Sequence, residues 1–80
     1  MLHELWREYG KDSGYSFCLA GVRGDQNRSR LSQQAELVWT VEAPSWLEAM
    51  IAFYAYLDWG EYRPMDAELD GITYVEKGWE

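Results

Sequence analysis

Nucleophilic catalysis needs a thiol or hydroxyl within reach of a general base, and this chain offers one cysteine, Cys18, and one imidazole, His3. His3 stands beside the chain start, where segments fray, and Cys18 sits in an apolar stretch as a small core residue would. A Cys-His pair is therefore not expected. Carboxylates such as Asp58 and Glu61 serve acid/base chemistry only when a cleft holds them together, and fourteen acids in 80 residues bring some close by chance. The run Asp66-Ala67-Glu68-Leu69-Asp70-Gly71 approaches a calcium loop. That pattern, however, wants Asp or Asn where Glu68 stands and a bidentate Glu at its twelfth position, which here is Lys77. The run reads as a solvated acidic loop. Arg23, Arg28 and Arg30 could together grip a phosphate or carboxylate. With no interleaved aromatics and Asp25 among them, they are expected to face water or the acidic half of the chain, with no direct nucleic-acid contact. No motif fixes a reaction, and none implies a cofactor or metal.

The charge is unevenly placed. Residues 1–41 hold five acids and five bases, whereas residues 42–80 hold nine acids against Arg63 and Lys77, so the whole net charge of -7 belongs to the second half. Such a field repels nucleic acid and anionic membrane and suits a basic partner, or simply solubility. A lone cysteine forms no disulfide within the chain and fits a reducing compartment, so a cytoplasmic protein is expected. No basic-then-apolar leader is visible. The longest run of apolar residues, Ala49 to Leu57, is far short of the roughly 20 of a bilayer span.

The chain reads as a single domain, 1–80, with no repeat or linker. Leu5 to Tyr9 and Tyr15 to Gly21 carry strand-formers around Gly10-Lys11-Asp12-Ser13-Gly14, which suits a hairpin turn. The first segment also fits a helix, because Leu2, Leu5, Trp6 and Tyr9 match the i, i+3, i+4, i+7 template. Asp25 is placed to cap one or two helical turns through Leu31. Ala35 to Glu42 alternates, with Leu37, Trp39 and Val41 inward and Glu36, Thr40 and Glu42 outward. Ser45-Trp46-Leu47-Glu48 is a capping box that starts a helix over 46–59, closed by Gly60 and barred from resuming by Pro64. The tail reads as loop, with Ile72 to Glu76 a short edge strand after the Asp70-Gly71 turn.

The helix is the plainest element and has almost no polar side. Trp46, Leu47, Met50, Ile51, Phe53, Tyr54 and Leu57 fill one face, and Ala49, Ala52, Ala55, Tyr56 and Trp59 most of the other. A chain of this length buries only about 60–65% of the surface its unfolded form exposes, which leaves little protein to cover both faces. Asp58 falls on the apolar stripe and needs a partner, for which Arg63 is nearest in sequence.

The segments Phe17-Cys18-Leu19-Ala20-Gly21, Val38-Trp39-Thr40-Val41-Glu42-Ala43, Ser45, Glu48-Ala49-Met50 and Trp59-Gly60-Glu61-Tyr62 resemble a group of short bacterial proteins of unknown function. The resemblance covers roughly residues 15–62. It implies a small bacterial cytosolic protein and carries no activity, ligand or site residue.

The expected fold is α+β, a small antiparallel sheet of three or four strands with one main helix, 46–59, packed on one face. Ala49, Ala52, Tyr56 and Trp59, with Tyr62, would then form an exposed apolar patch near the acidic surface of Asp58, Glu61, Asp66, Glu68 and Asp70. Patches of this composition mark interfaces. The functional expectation is a non-enzymatic module that forms a homodimer through this helix. The alternative is an acidic inhibitor that mimics nucleic acid to block a basic site on a target protein. A third reading is a small-molecule site lined by Tyr and Trp between helix and sheet.

Overall fold

The structure is a computed structural model that describes residues 1–10 and 13–80. The expected hairpin turn falls partly on Lys11 and Asp12, which lie outside the described residues. Among the described residues the fold is α+β, with three strands, one main helix and shorter helical turns. Contacts cluster in two compact units, Leu2–Val41 and Met1 with Glu42–Glu80. The division falls at the residue where the charge changes character.

The first unit is a sheet. Strands β1 (Leu2–Glu8), β2 (Gly14–Leu19) and β3 (Glu36–Glu42) lie in the order β2-β1-β3. β1 is therefore a strand from Leu2 onward, which settles the open choice at the N-terminal segment against a helix. It pairs antiparallel with β2 in a register that sets Glu4 against Cys18 and Leu5 against Phe17. β3 also runs antiparallel to β1: the His3 ring nitrogen Nδ1 lies 3.3 Å from the Val41 carbonyl oxygen, and at the far end the Tyr9 hydroxyl donates to Glu36. Paired residues share a face and neighbours alternate. One face therefore carries His3, Leu5 and Phe17, with His3 stacked on Phe17 and Phe17 on Trp39 at 5.5 and 6.5 Å between ring centres. Leu37, expected inward, is 44% exposed.

The opposite face carries Glu4 and Cys18. Beyond β2 the chain makes one 3₁₀ turn, Val22–Gly24, and the four-residue helix α1, Asp25–Arg28. Gly24, not Asp25, is the N-cap of α1, and no side chain caps it. Asp25 instead binds Arg28 of the same turn.

In the second unit, Ser45 caps α2 as expected, its hydroxyl accepting from the Glu48 amide at 3.2 Å. The helix runs Trp46–Tyr56 and stops three residues earlier than Trp59. The terminator is Asp58, which takes the left-handed conformation at φ 57°. Its amide bonds back to Ala55 and that of Trp59 to Tyr54, the paired bonds of a Schellman close. Gly60 is also left-handed, but it follows an end already made.

The tail departs most from expectation. Residues Ala67–Asp70 form the short helix α3, capped by Asp66, whose carboxylate accepts from the Leu69 amide at 3.1 Å. Ile72 to Glu76 is not an edge strand. It makes a single bridge, Ser45 to Thr73, together with a bond from the Tyr74 amide to the Pro44 carbonyl, and then turns. That turn closes at Gly78 (φ 76°) with the bonds seen at Asp58: Gly78 to Val75 and Trp79 to Tyr74. Tyr74, 1% exposed, is the largest side chain sealed in this unit, alongside Ala43, Ser45, Ala49 and Phe53.

Candidate functional site

The Cys-His arrangement fails on geometry. His3 does not sit at a frayed end; it is wholly buried within β1. Cys18 pairs across from Glu4, so its side chain leaves the sheet on the face opposite His3. Burial pushes the Cys18 thiol up, against the smaller pull of the nearby Arg28 cation. A thiol so placed stays protonated and packs as a core residue.

Of the three arginines, Arg28, expected to face water or the acidic half, is 22% exposed and binds groups of its own unit. Its Nη1 donates to the Leu19 carbonyl at 2.8 Å and to Glu4 at 3.1 Å, and its Nη2 donates to the Gly21 carbonyl and to Asp25. One guanidinium thus joins β1, the end of β2 and α1. Both Asp25 and Glu4 hold its proton more firmly than in water, Asp25 contributing most. Gly24 makes room for it: a Cβ there would stand 1.7 Å from the Leu19 carbonyl oxygen and 2.7 Å from Arg28 Nη1. This is a structural node in which all four Nη–H donors are taken by the protein itself. Arg30 lines a shallow cavity of about 310 Å³ with Glu8, Ser16, Phe17, Asn27 and Leu31.

The expected patch on α2 is redrawn by which flank of the helix is buried. Ala49, assigned to its exposed centre, is 0% exposed, and Phe53, one turn further on, is 6% exposed. The buried stripe runs through these two, so Ile51, expected in the core, is 50% exposed instead. Ala52 is half-buried, and Tyr56 and Trp59 are 47% and 52% exposed. Trp59 leaves the helix axis at Asp58 and folds back, its ring 5.3 Å from both Phe53 and Tyr54. Tyr62 continues this cluster 5.0 Å from Tyr54 and donates its hydroxyl to Asp70 at 3.4 Å. Desolvation and the Asp70 charge raise its phenol pKa.

The carboxylates around this cluster take separate tasks. Asp58 is the exposed left-handed residue, and Arg63 reaches Glu61, at 3.9 Å between exposed groups, in place of Asp58. Asp66 caps α3, Asp70 holds Tyr62, and Glu68 is exposed. The run expected as a solvated loop is instead folded at Ala67–Asp70 into the short helix α3, and no group of three or more His, Cys, Asp or Glu placed to hold a metal occurs among the described residues. Sequence reading missed Ile51 as a surface residue. A helix apolar on every side gives no signal for which flank is outward.

No helix among the described residues is long and apolar enough to cross a membrane. Comparison with protein-family models, curated proteins and solved structures found no match.

Proposed function

We propose that this chain is a non-enzymatic interaction module whose contact surface lies in residues 42–80 and whose partner presents a basic face. One coincidence carries the reading. The unit that holds all the net negative charge also leaves Ile51, Tyr56 and Trp59 about half exposed on or just after one helix, with the exposed acids Glu48, Asp58 and Glu61 nearby in sequence. Aromatic and aliphatic anchors supply binding energy, and surrounding charge supplies steering and choice of partner. A mimic of nucleic acid is the special case in which the target is a basic nucleic-acid site.

Self-association through α2 is the second reading, favoured by the same half-exposed side chains. It must overcome the burial of Ala49 and the repulsion between two acidic units. The test uses two double variants, Ile51→Ser with Tyr56→Ser and Glu48→Gln with Glu61→Gln, which leave the Phe53-Trp59 contact intact. The expected result is a monomer mass at micromolar concentration and capture of a basic protein from lysate, weakened by both pairs and by added salt. A dimer mass abolished by the Ile51/Tyr56 pair would replace this reading with self-association. Capture indifferent to both pairs would refute it.

A further inference from the structure

Two opposite charges line the cavity beside α1 without touching each other. Glu8 stands on β1 and Ser16 on β2, both on the sheet face that carries Glu4 and Cys18. Asn27 and Arg30 come from α1 and the turn after it. The Arg30 amide bonds to the Asn27 carbonyl at 3.2 Å, and residues three apart in such a turn share a side, so both meet the cavity. Leu31, half-buried, adds an apolar wall. Every one of these residues belongs to the unit Leu2–Val41.

Fixed parts hold these walls in place. The Arg28 node ties α1 to the sheet, and the Glu8 carboxylate accepts from the Ser32 amide at 3.0 Å, which ties the segment after the helix to β1. That bond occupies one Glu8 oxygen and leaves the negative charge without a cation. Among the described residues Glu8 and Arg30 make no ion pair, with each other or with any other group, and the side chains of Ser16 and Asn27 make no hydrogen bond. The charges choose the occupant. A simple anion that reached Arg30 would meet Glu8, and a simple cation that reached Glu8 would meet Arg30. A molecule that carries both charges meets its opposite at each end. The cavity, about 310 Å³, lies at the low end of the roughly 300–1,000 Å³ of small-molecule sites, which keeps that molecule small.

We infer that this cavity binds a small zwitterion with an apolar side chain, the chemistry of a free aliphatic amino acid. Arg30 takes the carboxylate, Glu8 accepts from the ammonium, the Ser16 hydroxyl and Asn27 amide serve the remaining polar positions, and Leu31 meets the side chain. The inference does not rest on the surface proposed in residues 42–80.

The test titrates the full chain with L-leucine and follows backbone amides by NMR. The expected result is a saturable set of shifts centred on Glu8, Ser16 and residues 27–32. Isocaproate, which lacks only the ammonium, and isoamylamine, which lacks only the carboxylate, should each bind about tenfold more weakly or worse. Arg30→Gln should abolish the advantage of leucine over isoamylamine. Glu8→Gln, which keeps an acceptor for the Ser32 amide, should abolish its advantage over isocaproate. That crossed pattern assigns each charge to one partner. Should a variant not fold, the two analogues still decide. No saturable shift with leucine, either analogue binding as well as leucine, a folded variant that binds leucine as the parent does, or shifts in residues 42–80 alone would each overturn the inference.

Discussion

The two halves of this chain solve the same problem by different chemistry. Each must satisfy backbone groups where regular structure stops, and neither has much core to do it with. In Leu2–Val41 a single cation gathers the loose ends, Arg28 binding two carbonyls and two carboxylates at once. In Glu42–Glu80 the chain closes on itself twice in the same way. Tyr54 and Trp59, and again Tyr74 and Trp79, are joined by a backbone bond of 2.9 Å and a ring contact, with a left-handed residue just before each Trp. At the second corner Lys77 also lies over the rings of Tyr74 and Trp79, at 5.6 and 4.7 Å. The neutral half is held by charge, and the acidic half by aromatic corners. A unit with nine acids and two bases has few cations to spend on its own backbone, which is where the difference originates.

The sharpest way to break the comparison is at Gly24. A methyl group there meets the Leu19 carbonyl at 1.7 Å, a distance no rotamer change relieves, and it displaces Arg28 from the same spot. Gly24→Ala should cost about 3 kcal/mol in urea unfolding, through overpacking and loss of the node together. Arg28→Met, which keeps the stem and removes the bonds, should cost about 2 kcal/mol, since the guanidinium is partly solvated. If Gly24→Ala proves as stable as the parent, the sheet half is not held by this node.

The acidic half holds the group with the largest shift toward alkali. Burial, and to a lesser extent the Glu80 charge, push the Tyr74 phenol up to about 12 from an ordinary 10. The neutral form is the one the fold binds. Its contribution is therefore complete below pH 10 and is lost as pH rises toward about 12, by up to about 3 kcal/mol for this one group. Tyr74→Phe keeps the ring and removes the titration, so stability plotted from pH 9 upward should fall less steeply than in the parent. Equal slopes would place the alkaline sensitivity elsewhere, with the Cys18 thiol and the Tyr62 phenol the next candidates because both are raised as well.

The origins of what could be read in the sequence follow the same division. β2, β3 and the start of α2 were legible because strand-formers, alternation and the Ser45 cap are local patterns that the backbone obeys within a few residues, whereas β1 fitted strand and helix alike. The Arg28 node was not, since its partners lie 3 to 24 residues away and any of three arginines could have made it. Nor was the outward flank of α2, because Ala49 and Ile51 are equally apolar and only the tertiary fold separates 0% from 50% exposure. The candidate patch was legible as composition, through Tyr56 and Trp59, and illegible as geometry. The two Tyr-Trp corners escaped notice because six residues are too short a recurrence to count as a repeat, and one of them hides its left-handed position behind an aspartate.

That aspartate gives the finest test of the aromatic-corner half. At φ 57°, Asp58 bears the steric cost of an L-residue in left-handed backbone, and its negative charge faces the negative end of the α2 dipole. Gly78 occupies the matching place in the second corner at φ 76° with neither burden. Asp58→Gly should therefore stabilise the chain by about 1 kcal/mol, net of the added freedom of the unfolded state, while Gly78→Ala should destabilise it by about the same amount. Asp58→Asn separates the two causes, because asparagine tolerates the left-handed region and carries no charge, and it should recover only about 0.4 kcal/mol. Thermal unfolding of the three variants at one ionic strength measures all of this. If Asp58→Gly and Gly78→Ala shift the midpoint in the same direction, the two corners are not built on one principle, and the contrast between a charge-held and a corner-held half fails with them.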